Sequence, residues 1–294
     1  MDERALVLGG GGAAGNAWLI GVIAGLLEAG LDATLADLVI GTSAGATAAA
    51  QITGGTRPAE LYAAILAAQA PRRTDPARPG GGQGPVRPAG SHMETTGAII
   101  AAARDAAGMR RGMGAWAIGN AAASDASVPA RWRATVASRL SGLDWPQRRL
   151  LITAVDAQTG EPAVFDRHSG VDLVDAVAAS CSSSTAHGIG ARQYIDGGYR
   201  RNENADLAAG CARVLVLSPF GGRTRHPLGW GMQLAAQVGE LRAGGSSVET
   251  VFPDGNSTQL FGANALDPAL RPPAARAGYR QGSALAGQLG AFWH

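Results

Sequence analysis

Short and almost wholly apolar runs at residues 5–8, 38–40, 150–155 and 214–217 constrain this chain more than any other feature. A strand with one face in water alternates apolar and polar residues, whereas a continuous apolar run needs cover on both faces, as in a parallel sheet between helical layers. Between the first two runs, Leu19, Val22, Ile23, Leu26 and Leu27 recur at helical spacing and Gly30 supplies a stop, which predicts a helix over residues 16–28. Strand, glycine-rich turn, helix and strand make a βαβ start. Similar patterns predict helices over 46–52, 59–70, 94–107, 128–140, 171–179, 205–209, 230–242 and 274–289, with further strands over 163–165, 192–195 and 248–252. The expected architecture is a three-layer α/β/α sandwich with a mainly parallel central sheet. No linker divides residues 1–294, so a single domain is expected. Residues 71–93 are poor in apolar side chains and predict a mobile loop, followed by a helical cover or lid over about 94–145.

Charge and cysteine content narrow the functional classes. The formal net charge of +2 gives no reason to expect a nucleic-acid partner, and the basic residues are all Arg, which reads as codon bias rather than chemistry. Cys181 and Cys211 form neither a disulfide framework nor a metal-ligand spacing, so no metal and no cofactor are expected. The first residues lead straight into a strand and no apolar run has the length of a membrane span, which predicts a cytoplasmic protein whose contact with a membrane surface would be transient and peripheral.

The chemistry concentrates at three strand ends. Gly41-Thr42-Ser43-Ala44-Gly45 joins the second strand to an alanine-rich helix. A strand that reverses this sharply needs residues without a Cβ on either side of the serine, which is then lifted to the top of the sheet at a helix N-terminus. Gly10-Gly11-Gly12-Ala13-Ala14-Gly15 follows the first strand and offers backbone N–H groups, with Ala44, as an oxyanion hole from Gly10, Gly11, Gly12 and Ala44. Asp196-Gly197-Gly198 follows a later strand and holds a carboxylate on a tight turn. In a parallel sheet the carboxyl ends of strands share one edge, so the three pieces are expected to converge. Ser43 would attack a carbonyl and Asp196 would take its proton, a task for which an ordinary carboxyl pKa of about 3.9 is too low. The site must therefore be dry.

These three motifs, in this order and context, resemble the patatin-like phospholipases over about residues 5–217. The resemblance implies a Ser-Asp dyad of Ser43 and Asp196, an oxyanion loop around Gly11 and Gly12, and motif glycines at Gly15, Gly41, Gly45, Gly197 and Gly198. It implies a serine esterase or lipid acyl hydrolase of phospholipase A type, acting on a lipid or other acyl ester. Many members carry Arg or Lys where this chain has Ala14, and prolines where it reads Ser180-Cys181-Ser182-Ser183-Ser184-Thr185.

Three other readings remain open on the residues. A Ser-His-Asp mechanism would draw on His187, the one histidine placed in the loop before Asp196. Gly10-x-Gly12-x-x-Gly15 also fits a dinucleotide loop, although its acidic partner at the end of the second strand is missing and Asp37 lies at the start. The third is a silent lipid-binding protein on the same fold. The tryptophans, Trp18, Trp116, Trp132 and Trp230 among them, are expected in the core or pocket rather than at a membrane interface.

Overall fold

The computed structural model describes residues 3–68, 89–255, 257–262 and 264–294, with backbone only at 89–91. In chain order it contains β1 (Arg4–Leu8), α1 (Gly12–Glu28), β2 (Leu38–Gly41), α2 (Ala44–Thr53) and α3 (Pro58–Ala67), then α4 (Ala89–Ala102), α5 (Ala106–Ala122) and α6 (Val128–Ala137). These are followed by β3 (Arg149–Asp156), β4 (Pro162–Phe165), α7 (Leu173–Ser180), β5 (His187–Ile189), β6 (Arg192–Asp196), β7 (Arg213–Leu217), α8 (Leu234–Ala243), β8 (Ser247–Val251) and α9 (Arg271–Trp293). The strands described form one sheet whose hydrogen-bonded neighbours run β5-β6-β3-β2-β1-β7-β8, with β4 also on β3.

The apolar runs are buried on both faces for the reason their composition suggests. Leu6 and Leu8 of β1, with Val39, Leu215 and Leu217, face a core closed by α1, α2, α7 and α9. Ala5 and Val7, with Leu38, Ile40, Val214 and Val216, face a second core closed by Leu234 and Leu241 of α8. This alternation between two cores gives the three layers. Helix α9 lies backbone to backbone along α1: a Cβ on Gly21 would fall 2.2 Å from Ala275 O, and one on Gly278 would fall 2.3 Å from Trp18 O. Trp18 and Trp293 are buried in the first core, and Trp116, Trp132, Trp145 and Trp230 are partly buried.

The central strands β3, β2, β1, β7 and β8 pair in parallel, but β3–β4, β3–β6 and β5–β6 are antiparallel. The registers fix an arrangement that the sequence pattern did not anticipate. Ile152 pairs with both Gly41 of β2 and Phe165 of β4, so those strands occupy opposite edges of β3. Ala154 and Val155 pair with both β4 and β6, so β6 lies on the same edge as β2. Running in opposite directions along that edge, β2 ends opposite Ile152 and β6 ends opposite Ala154. The two strand ends therefore meet nearly head-on. Asp196 reaches the serine through this meeting and not, as expected, because its strand is parallel to the others.

Several boundaries also differ. Helix α1 begins at Gly12 rather than residue 16, because glycines in a first turn give no apolar periodicity. The region expected as two helices after residue 94 is three, and α4 starts inside the expected loop; its remaining residues up to 88 lie outside the described residues. The expected helix over 205–209 is a short 3₁₀ turn at Ala205–Ala208. The cover is packed rather than free: Met109, Met113 and Ala117 of α5 bury against Val155 and Ile195.

Candidate active site

Ser43 is built into the elbow by crowding. A Cβ on Gly41 would lie 2.6 Å from Ala46 Cα, and one on Gly45 would lie 1.9 Å from Leu8 O, so α2 can cross β1 and β2 this closely only with glycine at both places. Ser43 takes up the remaining turn with φ 54° and ψ −117°, a conformation costly for any residue with a side chain. It stands at the N-cap of α2, yet its hydroxyl caps no backbone N–H. The elbow's main chain is held from α7 instead: Ser43 N–H donates to Ser180 Oγ (2.9 Å), and Cys181 Sγ donates to Ser43 O (3.1 Å). Burial pushes the Cys181 thiol up to about 12, so it stays protonated and serves as a hydrogen-bond donor. The serine-rich segment that departs from the family's prolines thus holds the elbow.

Asp196 sits on the turn opposite, 8% exposed. Its carboxylate accepts Gly198 N–H (2.8 Å), and the Ser43 side chain is near enough to be a second donor that favours its charge. Burial disfavours its charge more than these two donors favour it, and its pKa rises to about 6. The turn is pressed onto β3: a Cβ on Gly197 would lie 2.3 Å from Thr153 Oγ1. The partly buried Tyr199 lies close by, and its hydroxyl donates to Ser183 O.

Beneath the dyad runs a polar network that the motifs do not reveal. Asn204, buried and at φ 54°, places its side-chain amide within hydrogen-bond reach of Arg201 O (2.6 Å), Thr42 Oγ1 (3.0 Å), Thr153 Oγ1 (3.2 Å) and Gly197 O (3.2 Å). It ties the elbow, β3 and the aspartate turn to one side chain. Asn202 O accepts Gly10 N–H (3.0 Å), and the buried Glu203 accepts from Asn202 (2.9 Å) and Ser218 (2.7 Å). Burial raises the Glu203 pKa. A signal existed in the sequence, since three polar residues, Asn202-Glu203-Asn204, stand just after the aspartate motif.

The glycine loop lies against the serine: a Cβ on Gly10 would lie 3.5 Å from Ser43 Cβ. The Gly10 N–H expected in the oxyanion hole is committed to Asn202 O, which removes it from that role. Among the described residues, the N–H groups of Gly11, Gly12 and Ala44 have no hydrogen-bond partner. Gly12 adopts φ +64° and its missing Cβ would strike Ala265 O at 2.8 Å, so only glycine fits this bend. Pro219 packs over Gly11 and Gly15. Ala14 is buried without a charge, but Arg271 reaches the same turn of α1 from α9, donating to Ala13 O (3.4 Å).

His187 does not join this group. Its Nε2 pairs with Asp175 (3.0 Å), which also accepts from Arg133. Asp37 accepts the Arg4 N–H (2.8 Å) at the start of β1, away from the glycine loop. No group of His, Cys, Asp and Glu suited to a metal occurs among the described residues, and no described helix is long and apolar enough to cross a membrane.

The family model described as patatin-like phospholipase matches residues 6–209. The chain belongs to the patatin-like phospholipase family. Family membership spans the glycine loop, the elbow and the aspartate turn, and stops before β7 and α9. No curated protein matches. Solved structures similar to the chain include ExoU and VipD. The type III effector protein ExoU is 17% identical, with a TM-score of 0.44, over 98% of this chain and 53% of its own. VipD from Legionella pneumophila is 16% identical, with a TM-score of 0.45, over 98% of this chain and 67% of its own. The chain thus spans about half the length of the first of them.

Proposed function

We propose that this chain is a serine lipid acyl hydrolase working through a Ser43–Asp196 dyad. The observation that carries the reading is the buried Asp196 carboxylate, held on its turn by Gly198 N–H beside the Ser43 side chain, where burial pushes its pKa up to about 6. A carboxylate of that pKa is ionised at neutral pH and close enough to neutrality to hold a proton in passing, as a general base requires.

In the proposed cycle, Ser43 Oγ attacks the ester carbonyl carbon as its proton passes to Asp196. The carbonyl π electrons move onto oxygen, and the free N–H groups of Gly11, Gly12 and Ala44 receive the resulting anion. Collapse breaks the bond to the alcohol oxygen, which leaves with the proton from Asp196. A water then gives its proton to Asp196 and attacks the acyl-enzyme, and Ser43 departs with that proton as the free acid forms. The strained backbone of Ser43 and the network through Asn204 favour one geometry before substrate arrives. Membership of the patatin-like phospholipase family supports a lipid ester as substrate. The apolar Leu266, exposed at 64% beside Gly12, supports transient contact with a lipid surface at the mouth of the site. The packing of α9 on α1 supports a single catalytic domain.

The test is hydrolysis of p-nitrophenyl butyrate and p-nitrophenyl palmitate by wild type and Ser43→Ala. The proposal expects both activities in wild type and neither in the variant, with a folded variant by circular dichroism. Activity that survives in Ser43→Ala would refute the dyad, and a wild type inert to both esters and to phospholipid vesicles would favour a silent lipid-binding protein.

A further inference from the structure

We infer that Arg139 and Arg271 form an anion site beside the elbow that holds the phosphate of a glycerophospholipid while its ester lies against Ser43, an inference that rests on the hydrolase reading above. A chain of hydrogen bonds joins the Arg271 guanidinium to the main chain of Arg139 across the nucleophile's helix. Arg271 Nη1 donates to Asn16 Oδ1 (3.0 Å), Asn16 Nδ2 to Gln51 Oε1 (3.1 Å) and, at 3.5 Å, to Ala44 O, and Gln51 Nε2 to Arg139 O (2.8 Å). Asn16 and Gln51 are buried, so this bridge is a fixed part of the α1–α2 junction that begins one residue after Ser43.

The two guanidiniums carry charge that the protein does not balance. Among the described residues, neither has a carboxylate within salt-bridge distance, and the Arg139 guanidinium makes no protein hydrogen bond. It lies 5.6 Å over the Trp132 ring, which fixes its plane while leaving its N–H groups open. Arg271 is partly buried, and both that burial and the nearby charge of Arg139 lower its pKa. Arg139 is exposed, so the desolvation falls on Arg271; a bound anion would offset that cost and the like charge nearby. Trp132, beneath the Arg139 guanidinium, donates to Ala178 O of α7, and Cys181 at the end of that helix donates to Ser43 O, which ties Arg139 to the elbow through α7. Guanidinium groups match the oxygens of a phosphate better than any other side chain does.

The test uses the full chain and the variants Arg139→Gln, Arg271→Gln and Arg271→Lys, the last retaining charge should the Gln variant unfold. Calorimetric titration with sn-glycerol 3-phosphate and with inorganic phosphate reads the site without turnover. The inference expects saturable binding in wild type, a Kd raised about tenfold by either Gln variant, the loss of roughly one charge-assisted contact, and partial recovery in Arg271→Lys. It also expects the ratio of kcat/KM for phosphatidylglycerol to that for p-nitrophenyl butyrate to fall about tenfold in the Gln variants. No saturable binding, or a Kd indifferent to both arginines, would overturn the site. Arginine-dependent phosphate binding with an unchanged substrate ratio would overturn the lipid phosphate as its ligand in favour of free phosphate. Arginine-dependent binding in a protein with no ester turnover would keep the anion site and reject the hydrolase reading.

Discussion

Replacing Asp196 with Asn should abolish turnover and, at neutral or alkaline pH, make the protein more stable. The folded pKa of about 6 lies above the ordinary carboxyl value of 3.8, so the folded chain binds this proton more tightly than the unfolded chain does. The protonated folded state is therefore the favoured one, and stability from this group is full below about pH 4 and lost as pH rises through 6. A difference of about 2 pKa units corresponds to about 3 kcal/mol that wild type forgoes by carrying a charge at pH 8. The amide of the Asp196→Asn variant would carry none, while its carbonyl still accepts the Gly198 N–H that holds the turn. For a chain of this length, about 3 kcal/mol corresponds to a rise in Tm of about 5 °C. Urea titrations of both proteins at pH 8, 6 and 4 measure it. The gain should be largest at pH 8, only slightly smaller at pH 6, and mostly gone at pH 4, because the penalty builds up between the unfolded and folded pKa values. An Asn variant less stable at pH 8, or a difference independent of pH, would refute the claim that burial controls the charge of Asp196.

The same carboxylate predicts that kcat/KM rises with pH to a plateau above about 6, measured with a neutral ester over pH 4–9 so that the substrate does not titrate. Gly45→Ala should cost at least about 2 kcal/mol, because the new methyl would meet Leu8 O at 1.9 Å; Gly188→Ala, with open space around it, should stay within about 0.5 kcal/mol by urea unfolding. Asn204→Asp removes the amide donors shared by Thr42, Thr153 and Gly197 and should lower kcat about tenfold, close to 1.4 kcal/mol of barrier, while KM changes less.

Legibility in the sequence followed how local each feature is. The buried strands, the elbow and the aspartate turn were readable because continuous apolar runs and paired glycines are responses to local geometry, and each stands within a few residues of its cause. The meeting of β2 and β6 was not readable, because strand direction on the edge of β3 is decided by pairing between residues distant in the chain, Ala154 with Asp196 and Ile152 with Gly41, and leaves no mark in the composition of Arg192–Asp196. The three-residue strand β5 was too short to show a period. Gly10 was misread as an oxyanion donor because a sequence shows which N–H groups exist, not that Asn202 O takes one of them. Asn204 escaped for a related reason: its left-handed backbone and shared amide acquire meaning only once Thr42, Thr153 and Gly197 surround it. Arg271 lay unremarked in a proline-rich helix start, far in sequence from the Asn16 it binds.

Labelling by a fluorophosphonate, with the modified peptide identified by mass spectrometry, tests the central claim most directly. The account predicts a single adduct on Ser43 in wild type, formed faster as pH rises through about 6, none in Ser43→Ala, and slow labelling in Asp196→Asn. An adduct on another residue, or labelling of Ser43 that is as fast in Asp196→Asn as in wild type, would contradict it.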